Sequence, residues 1–280
     1  MSQVWLITGT SSGLGQELVK AVLNRGDKVI ATARNADQIS SLKELGAATL
    51  QLDVTATQEQ LNLKAEEAVA IYGRIDVLVN NAGYVQFGTI EETSHAQWYD
   101  QFNTNVFGTL NTTRSFLPHM RCRKSGIIVF IGSMVAWDAA PTVGAYSASK
   151  AAIHYAVESL SAEVAPLGLR TLLIEPGTFM TDFLSQRNTK SVENRIEDYQ
   201  ELSETMESAF AELNGKQLGD PKKGVNVIID VIKGANEAKG KKWPNSLPLG
   251  SDAVDAIRKK CESTLREIDE WESLSKSTNL

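Results

Sequence analysis

The stretch Val4-Trp5-Leu6-Ile7-Thr8-Gly9-Thr10-Ser11-Ser12-Gly13-Leu14-Gly15 sets the architecture of this 280-residue chain. Val4 to Ile7 is a short unbroken apolar run, the pattern of a strand buried on both faces. A helical pattern begins directly behind the glycines, with Leu18, Val19, Val22 and Leu23 on one face. A glycine turn between strand and helix is a phosphate cradle. Without Cβ atoms a pyrophosphate can approach the backbone N–H groups, and the helix N-terminus adds oriented donors and partial positive charge. The spacing is G-x-x-x-G-x-G rather than the commoner G-x-G-x-x-G. Thr8, Gly9, Ser11, Ser12, Gly13, Leu14 and Gly15 are thus candidates for holding a dinucleotide.

The same strand-then-helix rhythm recurs. Lys28 to Ala33, Thr49 to Leu52, Asp76 to Val79, Ile127 to Ile131 and Arg170 to Ile174 are short β-branched apolar runs, each followed by a helical pattern. Near-continuous rather than alternating hydrophobicity predicts parallel strands covered on both faces. The fold class is a doubly wound α/β sheet of the Rossmann type, and residues 1–280 read as one domain. Beyond about Gly177 the texture changes. Residues 181–220 or so are densely charged, with a thin apolar stripe of Ile196, Tyr199, Leu202 and Met206 at helical spacing. They predict a helical insertion, either a solvated surface element or a cover over the substrate site. Asp220 before Pro221 reads as an N-cap with proline at the first helical position, and Gly234 as that helix's stop. Residues from about 250 to 280 predict an amphipathic helix and a frayed tail.

Composition narrows the function classes. With 42% hydrophobic and 22% charged residues, 20 glycines and 7 prolines, the chain reads as an ordinary globular protein. A net charge of −6 argues against a nucleic-acid partner, because neutralising phosphates takes clustered Lys and Arg. No apolar run is long enough to span a bilayer. Met1 runs into a strand pattern without the features of a secretory signal, so the expected location is the cytoplasm. Cys122 and Cys261 lie far apart without metal-ligand spacing, which predicts reduced, incidental thiols. His95, His119 and His154 lack ligand spacing too, so no metal site is predicted.

The second strand should end on the residue that chooses between the two nicotinamide dinucleotides. A carboxylate there would bond the 2′-hydroxyl of NAD and repel a 2′-phosphate. The chain instead reads Thr32-Ala33-Arg34-Asn35, and Arg34 offers a planar, permanently charged fork for a phosphate monoester. The implied cofactor is NADP(H). Asp53, with Val54 beside it, follows the third strand and could accept from an adenine amino group. Tyr146-Ser147-Ala148-Ser149-Lys150 puts a phenol and an ammonium four residues apart on one helix face. A neighbouring cation favours the phenolate and should lower the tyrosine's pKa. Ser133 follows the Ile127 to Ile131 strand at its C-terminal end, the edge where open α/β sheets bind ligands.

These motifs, taken in order with Asn80-Asn81-Ala82-Gly83, Asn105 and Pro176-Gly177 with Thr181, resemble the short-chain dehydrogenase/reductase family over nearly the whole chain. The resemblance is strongest to NADP-linked members acting on ketones, aldehydes, steroids or fungal secondary metabolites. It implies a catalytic tetrad of Asn105, Ser133, Tyr146 and Lys150. Tyr146 would be the general acid or base; Lys150 would lower its pKa and bond the nicotinamide ribose. Ser133 would orient the substrate oxygen, and Asn105, by bending its helix, would hold a water linking Lys150 to solvent. Asn81, Ala82 and Gly83 would line the adenosine ribose, while Thr181 would meet the carboxamide through the Pro176-Gly177 loop. One departure stands out: many NADP-using relatives carry a second basic residue in the glycine turn, where this chain has Thr10, Ser11 and Ser12.

Residues next to the tetrad predict the substrate lining: Tyr84, Val85, Val135, Trp137 and Phe179. They are apolar or aromatic, which suits a hydrophobic ketone or alcohol as the small-molecule partner. Ketone reduction is the favoured direction. Two alternatives remain open, an epimerase or dehydratase on the same fold and a dinucleotide-binding regulatory protein without turnover. The resemblance also implies a homodimer or homotetramer built partly on the helices carrying Asn105 and Tyr146.

Overall fold

The computed structural model describes residues 2–185 and 188–280. In chain order the first half runs β1 (Val4–Ile7), α1 (Gly13–Asn24), β2 (Lys28–Ala33), α2 (Ser40–Glu44), β3 (Ala48–Gln51), α3 (Gln58–Tyr72), β4 (Val77–Asn80), β5 (Val85–Gln86), α4 (His95–Phe102) and α5 (Thr109–Arg123). The second half runs β6 (Gly126–Ile131), α6 (Gly144–Val164), β7 (Leu169–Pro176), β8 (Thr189–Lys190), α7 (Gln200–Leu213), α8 (Pro221–Lys233), β9 (Ser246–Leu249) and α9 (Ser251–Lys276). Seven strands form one parallel sheet in the order β3-β2-β1-β4-β6-β7-β9. The chain winds outward from β1 to β3, returns to the other side of β1, and winds outward again. The reversal between β1 and β4 opens a crevice at the strands' C-terminal ends.

Period-2 alternation sends neighbouring residues of each strand into opposite layers. Trp5 and Ile7 pack against Leu18, Val19 and Val22 of α1 and Ile228, Ile229 and Ile232 of α8. Val4 and Leu6 pack with Phe116 and Met120 of α5 and Ile153 and Val157 of α6. Truncating one of these filled positions, such as Ile228→Ala, costs about 2–5 kcal/mol. Local signals place the helix ends. Asp220 accepts from the backbone of Lys222 and Lys223 at 2.8 and 3.4 Å, Pro221 takes the first helical position, and Gly234 ends α8 at φ 59°. Thr57 with Gln60 and Ser94 with Gln97 form reciprocal capping boxes on α3 and α4.

All six strands expected from sequence form, five within a residue of their expected bounds and β7 running two residues further, to Pro176. The seventh, β9, was not expected. Its Ser-Leu-Pro-Leu sequence lacks a strong strand pattern, and Pro248 is tolerated because β9 pairs with β7 alone and forms the sheet edge. Between α4 and α5 the helix widens into a π-helical turn, Asn103–Gly108, centred on Asn105.

The segment from 181 to 220 is helical only in part, and its residues 186 and 187 lie outside the described residues. Its first half lies along residues 85–100. Strand β8 pairs with β5 in parallel, and Ile196 N–H donates to the buried carboxylate of Glu92 at 3.0 Å. Val192 packs against Gly88, where an added Cβ would come within 2.1 Å of its Cγ1. Helix α7 then turns Ser203, Met206, Phe210 and Leu213 inward. Of the stripe expected from sequence Met206 does face inward, but Leu202 is exposed and Ser203 takes its place.

Candidate active site

Two glycines set the turn after β1. Gly9 (φ 68°) and Gly13 (φ 59°) adopt the left-handed region that other residues rarely enter. A Cβ on Gly9 would lie 2.8 Å from Ala82 Cα, so the turn rests directly on the backbone after β4. Thr8 and Asn81 staple the two together. Asn81 Nδ2 donates to the Thr8 and Gly9 carbonyls at 2.8 and 2.9 Å, and Thr8 Oγ1 accepts from Asn81 and Ala82 N–H at 3.0 and 3.1 Å.

Above this floor lies one cavity of about 720 Å³ running the width of the crevice. Gly9, Ser11, Ser12, Gly13 and Leu14 line one end, followed by Arg34, Asp53 and Val54, then Asn81, Ala82 and Gly83. Pro176, Gly177 and Thr181 close over them from the other side. A Cβ on Gly13 would stand 3.7 Å from Thr181 Cβ, partly filling the gap between turn and loop. The cradle thus fits a phosphate group against the α1 N-terminus. Thr8 and Gly15 sit behind this surface rather than on it. Gly15 is packed so closely that a Cβ would meet Asn81 Nδ2 at 2.4 Å. Thr55 donates to Asp53 Oδ1 through both its backbone N–H and its hydroxyl, fixing that carboxylate at the wall.

The chemical groups gather midway along the cavity. Ser133 stands just past the C-terminal end of β6, accepting from Val135 N–H at 3.3 Å. One turn apart on α6, Tyr146 and Lys150 are both buried and both line the cavity. Tyr146 and Ser133 line the same cavity, with the Ser133 side chain near enough to the phenol to favour its ionised form. Lys150 Nζ donates to the Ile131 carbonyl at 2.7 Å and lies 5.6 Å from the Tyr146 ring centroid. Asn105 is buried behind them and does not line the cavity. Its side chain brackets Tyr84, donating to the carbonyl at 3.1 Å and accepting from the N–H at 3.2 Å, and also donates to Ser149 Oγ at 3.2 Å.

The electrostatics differ from the sequence-based expectation that Lys150 depresses the tyrosine's pKa. Burial pushes Tyr146 up to about 12, opposed by the neighbouring Ser133 side chain. Burial also pushes Lys150 down to about 8. The physical reason is shared desolvation: both side chains are buried, and the ammonium is aimed at the Ile131 carbonyl.

At the substrate end Tyr84, Val85, Val135 and Phe179 line the cavity as expected from their sequence positions. Trp137 does not. Its indole N–H donates to Glu175 Oε1 at 2.8 Å, and its ring packs edge-on against His154 at 5.1 Å. A proximity argument along the sequence cannot see this, because Glu175 is a buried carboxylate on β7 that draws the indole inward. Glu175 also takes His154 Nδ1 at 2.9 Å and the Ser246 hydroxyl from β9. That contact raises the histidine's pKa.

Sequence reading missed Phe87, Val143, Phe183 and Phe210, all of which line the cavity. The Phe183 ring lies 6.0 Å from that of Tyr146, and Phe210 lies 5.0 Å from Phe87. Phe210 carried a usable signal, since it falls four residues after Met206 on one helix face. Phe183 carried none beyond following Thr181. Among the described residues no cluster of three or more His, Cys, Asp or Glu is placed to hold a metal ion, and no helix is long and apolar enough to cross a membrane.

A family model described as short chain dehydrogenase matches residues 3–192. "Oxidoreductase BOA17" of Botryotinia fuckeliana is 32% identical over 279 residues, spanning 98% of either chain. Among solved structures, a short-chain dehydrogenase from Streptomyces avermitilis superposes with a TM-score of 0.88 at 37% identity, covering 99% of this chain and 98% of that one. "ElxO with NADP Bound" superposes at 0.73 with 25% identity, covering 91% and 100%.

Proposed function

This chain belongs to the short chain dehydrogenase family and is an oxidoreductase of that family, and from that premise we propose that it uses NADP(H) to interconvert a carbonyl and an alcohol on a hydrophobic small molecule. The observation that carries the reading is the gathering of Ser133, Tyr146 and Lys150 on the wall of the cavity that the glycine turn also lines. Gly9 to Leu14, the wall from Asn81 to Gly83, and Thr181 would hold the dinucleotide, which supplies or receives the hydride when bound.

In the reducing direction Tyr146 donates its hydroxyl proton to the substrate oxygen, and Ser133 donates a second hydrogen bond to the same atom as charge develops there. Lys150 sits one turn below as the ammonium that offsets the phenolate left behind. Asn105 acts at one remove, fixing Tyr84 beside the substrate and widening its own helix. Around the reacting atoms the wall is apolar: Val85, Phe87, Val135, Val143, Phe183 and Phe210. Such a wall favours an aromatic or long aliphatic ketone over a sugar or short hydroxy acid. The segment from 181 to 220 then serves as the cover of the substrate end, since it brings Phe183 and Phe210 to that wall.

For the cofactor, Arg34 lines the adenosine end where a 2′-phosphate would lie, and NADP is the molecule in the ElxO structure. The test follows the absorbance of reduced nicotinamide with a panel of aromatic and aliphatic ketones, using the natural chain and Tyr146→Phe. We expect turnover with apolar ketones, and a loss of about 10²–10⁴-fold in kcat for the variant with NADPH binding retained. Equal turnover by the variant refutes the proton-transfer role. Product formation with no net change in nicotinamide redox state would point to an epimerase or dehydratase instead.

A further inference from the structure

Helix α9 runs 26 residues, roughly 39 Å at 1.5 Å per residue. Among the described residues only its root is packed against the rest of the molecule. Ala253 is its sole buried residue, and Asp252 accepts from Thr178 N–H and Oγ1, both at 2.7 Å. From Arg258 onward the helix is almost wholly exposed. Isolated helices in water gain little from propensity alone, and tertiary packing of an apolar face supplies most helical stability. This one carries such a face. Val254, Ile257, Cys261, Thr264, Ile268 and Trp271 follow one another at steps of three, four, three, four and three, the seam of a two-stranded coiled coil. Leu265 and Leu274 widen that seam, and Leu265, Ile268, Trp271 and Leu274 are each more than half exposed.

Charge along the helix says what covers the seam. Asp255 to Lys260 carries three bases, Arg258, Lys259 and Lys260, against one acid. Glu262 to Lys276 carries five acids, Glu262, Glu267, Asp269, Glu270 and Glu272, against two bases. An anionic membrane surface would repel this acidic outer half, although amphipathic helices that lie on membranes carry bases there. A second copy running parallel would set like charges side by side. A second copy running antiparallel sets the bases Arg258 to Lys260 beside the acidic stretch Glu267 to Glu270 of its partner, on both sides of the axis.

We propose that α9 is an association element of this protein, separate from the helices carrying Asn105 and Tyr146, pairing antiparallel with α9 of a second copy about a two-fold axis between Cys261 and Thr264. In that register Val254 meets Trp271 of the second copy, Ile257 meets Ile268, and Cys261 meets Thr264, each contact occurring twice by symmetry. Lys260 flanks the seam opposite Glu267 of the second copy, again twice. The root of the helix is the Asp252 contact to Thr178, beside the Pro176-Gly177 loop, so the same element that pairs the copies also braces the cavity wall.

The test uses the full chain in sedimentation equilibrium between about 1 and 100 μM. The chain should self-associate. Ile257→Glu with Ile268→Glu should halve the associated mass while NADPH binding stays unchanged, because both positions lie outside the cavity. Lys260→Glu alone should weaken association roughly 5-fold, the product of two flanking pairs of about 0.5 kcal/mol each, and adding Glu267→Lys should restore it. With Cys122 and Cys261 replaced by serine, chains carrying Ile257→Cys and Ile268→Cys should cross-link only when mixed. A monomer across the whole range, an unchanged mass for the double glutamate variant, or cross-linking of the Ile257→Cys chain with itself would each overturn the proposal. So would a monomer that floats with vesicles containing anionic lipid.

Discussion

Replacing Lys150 by Met should stabilise the folded chain at neutral pH while removing activity, and the gain should fade as pH rises. Burial lowers the Lys150 pKa from the ordinary 10.5 to about 8. At about 1.4 kcal/mol per tenfold change in proton affinity, holding the ammonium inside costs the fold about 3 kcal/mol below pH 8. The sign follows from proton binding. Between pH 8 and 10.5 the unfolded chain keeps its proton and the folded chain has released it, so the natural protein gains stability as pH rises through that window. Methionine matches the length of the stem and carries no charge, but it leaves the Ile131 carbonyl without the 2.7 Å bond, at a cost of about 1–3 kcal/mol. The net change at pH 7 is therefore small and favourable, about 1 kcal/mol. The pH dependence is larger and more telling. The stability difference between variant and natural chain should shift by about 2 kcal/mol against the variant between pH 7 and pH 10. Urea unfolding followed by tryptophan fluorescence at both pH values measures it. A difference that stays constant would show that the Lys150 amine is not held charged in a dry site, and the desolvation argument would fail.

Arg34→Ala should raise the Kd for NADPH about tenfold or more and leave that for NADH unchanged, measured by nicotinamide fluorescence; equal changes would remove Arg34 as the phosphate contact. Gly88→Ala forces a Cβ into Val192 at a φ of 146°, so limited proteolysis within residues 188–196 should accelerate and KM for an apolar ketone should rise, with NADPH affinity kept. Thr142 is a buried β-branched residue at φ 62° on the approach to α6, a conformation costing about 1–3 kcal/mol. Thr142→Gly should therefore raise stability by about 1 kcal/mol in thermal unfolding, and a loss instead would show that its side-chain packing outweighs the strain.

Much of the architecture was readable because it rests on local pattern. Continuous apolar runs followed by 3.6-period stripes dictate buried parallel strands with covering helices, and Asp220, Pro221 and Gly234 mark α8 by cap chemistry alone. What escaped is non-local. Strand β9 exists because the free edge of β7 offers it hydrogen bonds, and no propensity within Ser-Leu-Pro-Leu announces that. The inward face of α7 is set by Phe87 meeting Phe210, more than a hundred residues away in sequence, so its stripe was legible at Met206 and not at Leu202. Trp137 was misplaced for the same reason, since its partner Glu175 lies on another strand. Around the tetrad the motif types were legible but the proton affinities were not. The four-residue spacing shows that a phenol and an ammonium share a helix face; only burial shows that both lose solvation at once.

The pairing of Val85 and Gln86 with Thr189 and Lys190 bears on the order of events during folding. A contact between segments roughly a hundred residues apart closes a very large loop, and such contacts form late because the entropy of closure precedes their reward. The wall carrying Phe183 and Phe210 is therefore completed only after the parallel sheet exists. Nascent or partly denatured chains should retain a nucleotide crevice well before they regain a chamber that selects among substrates.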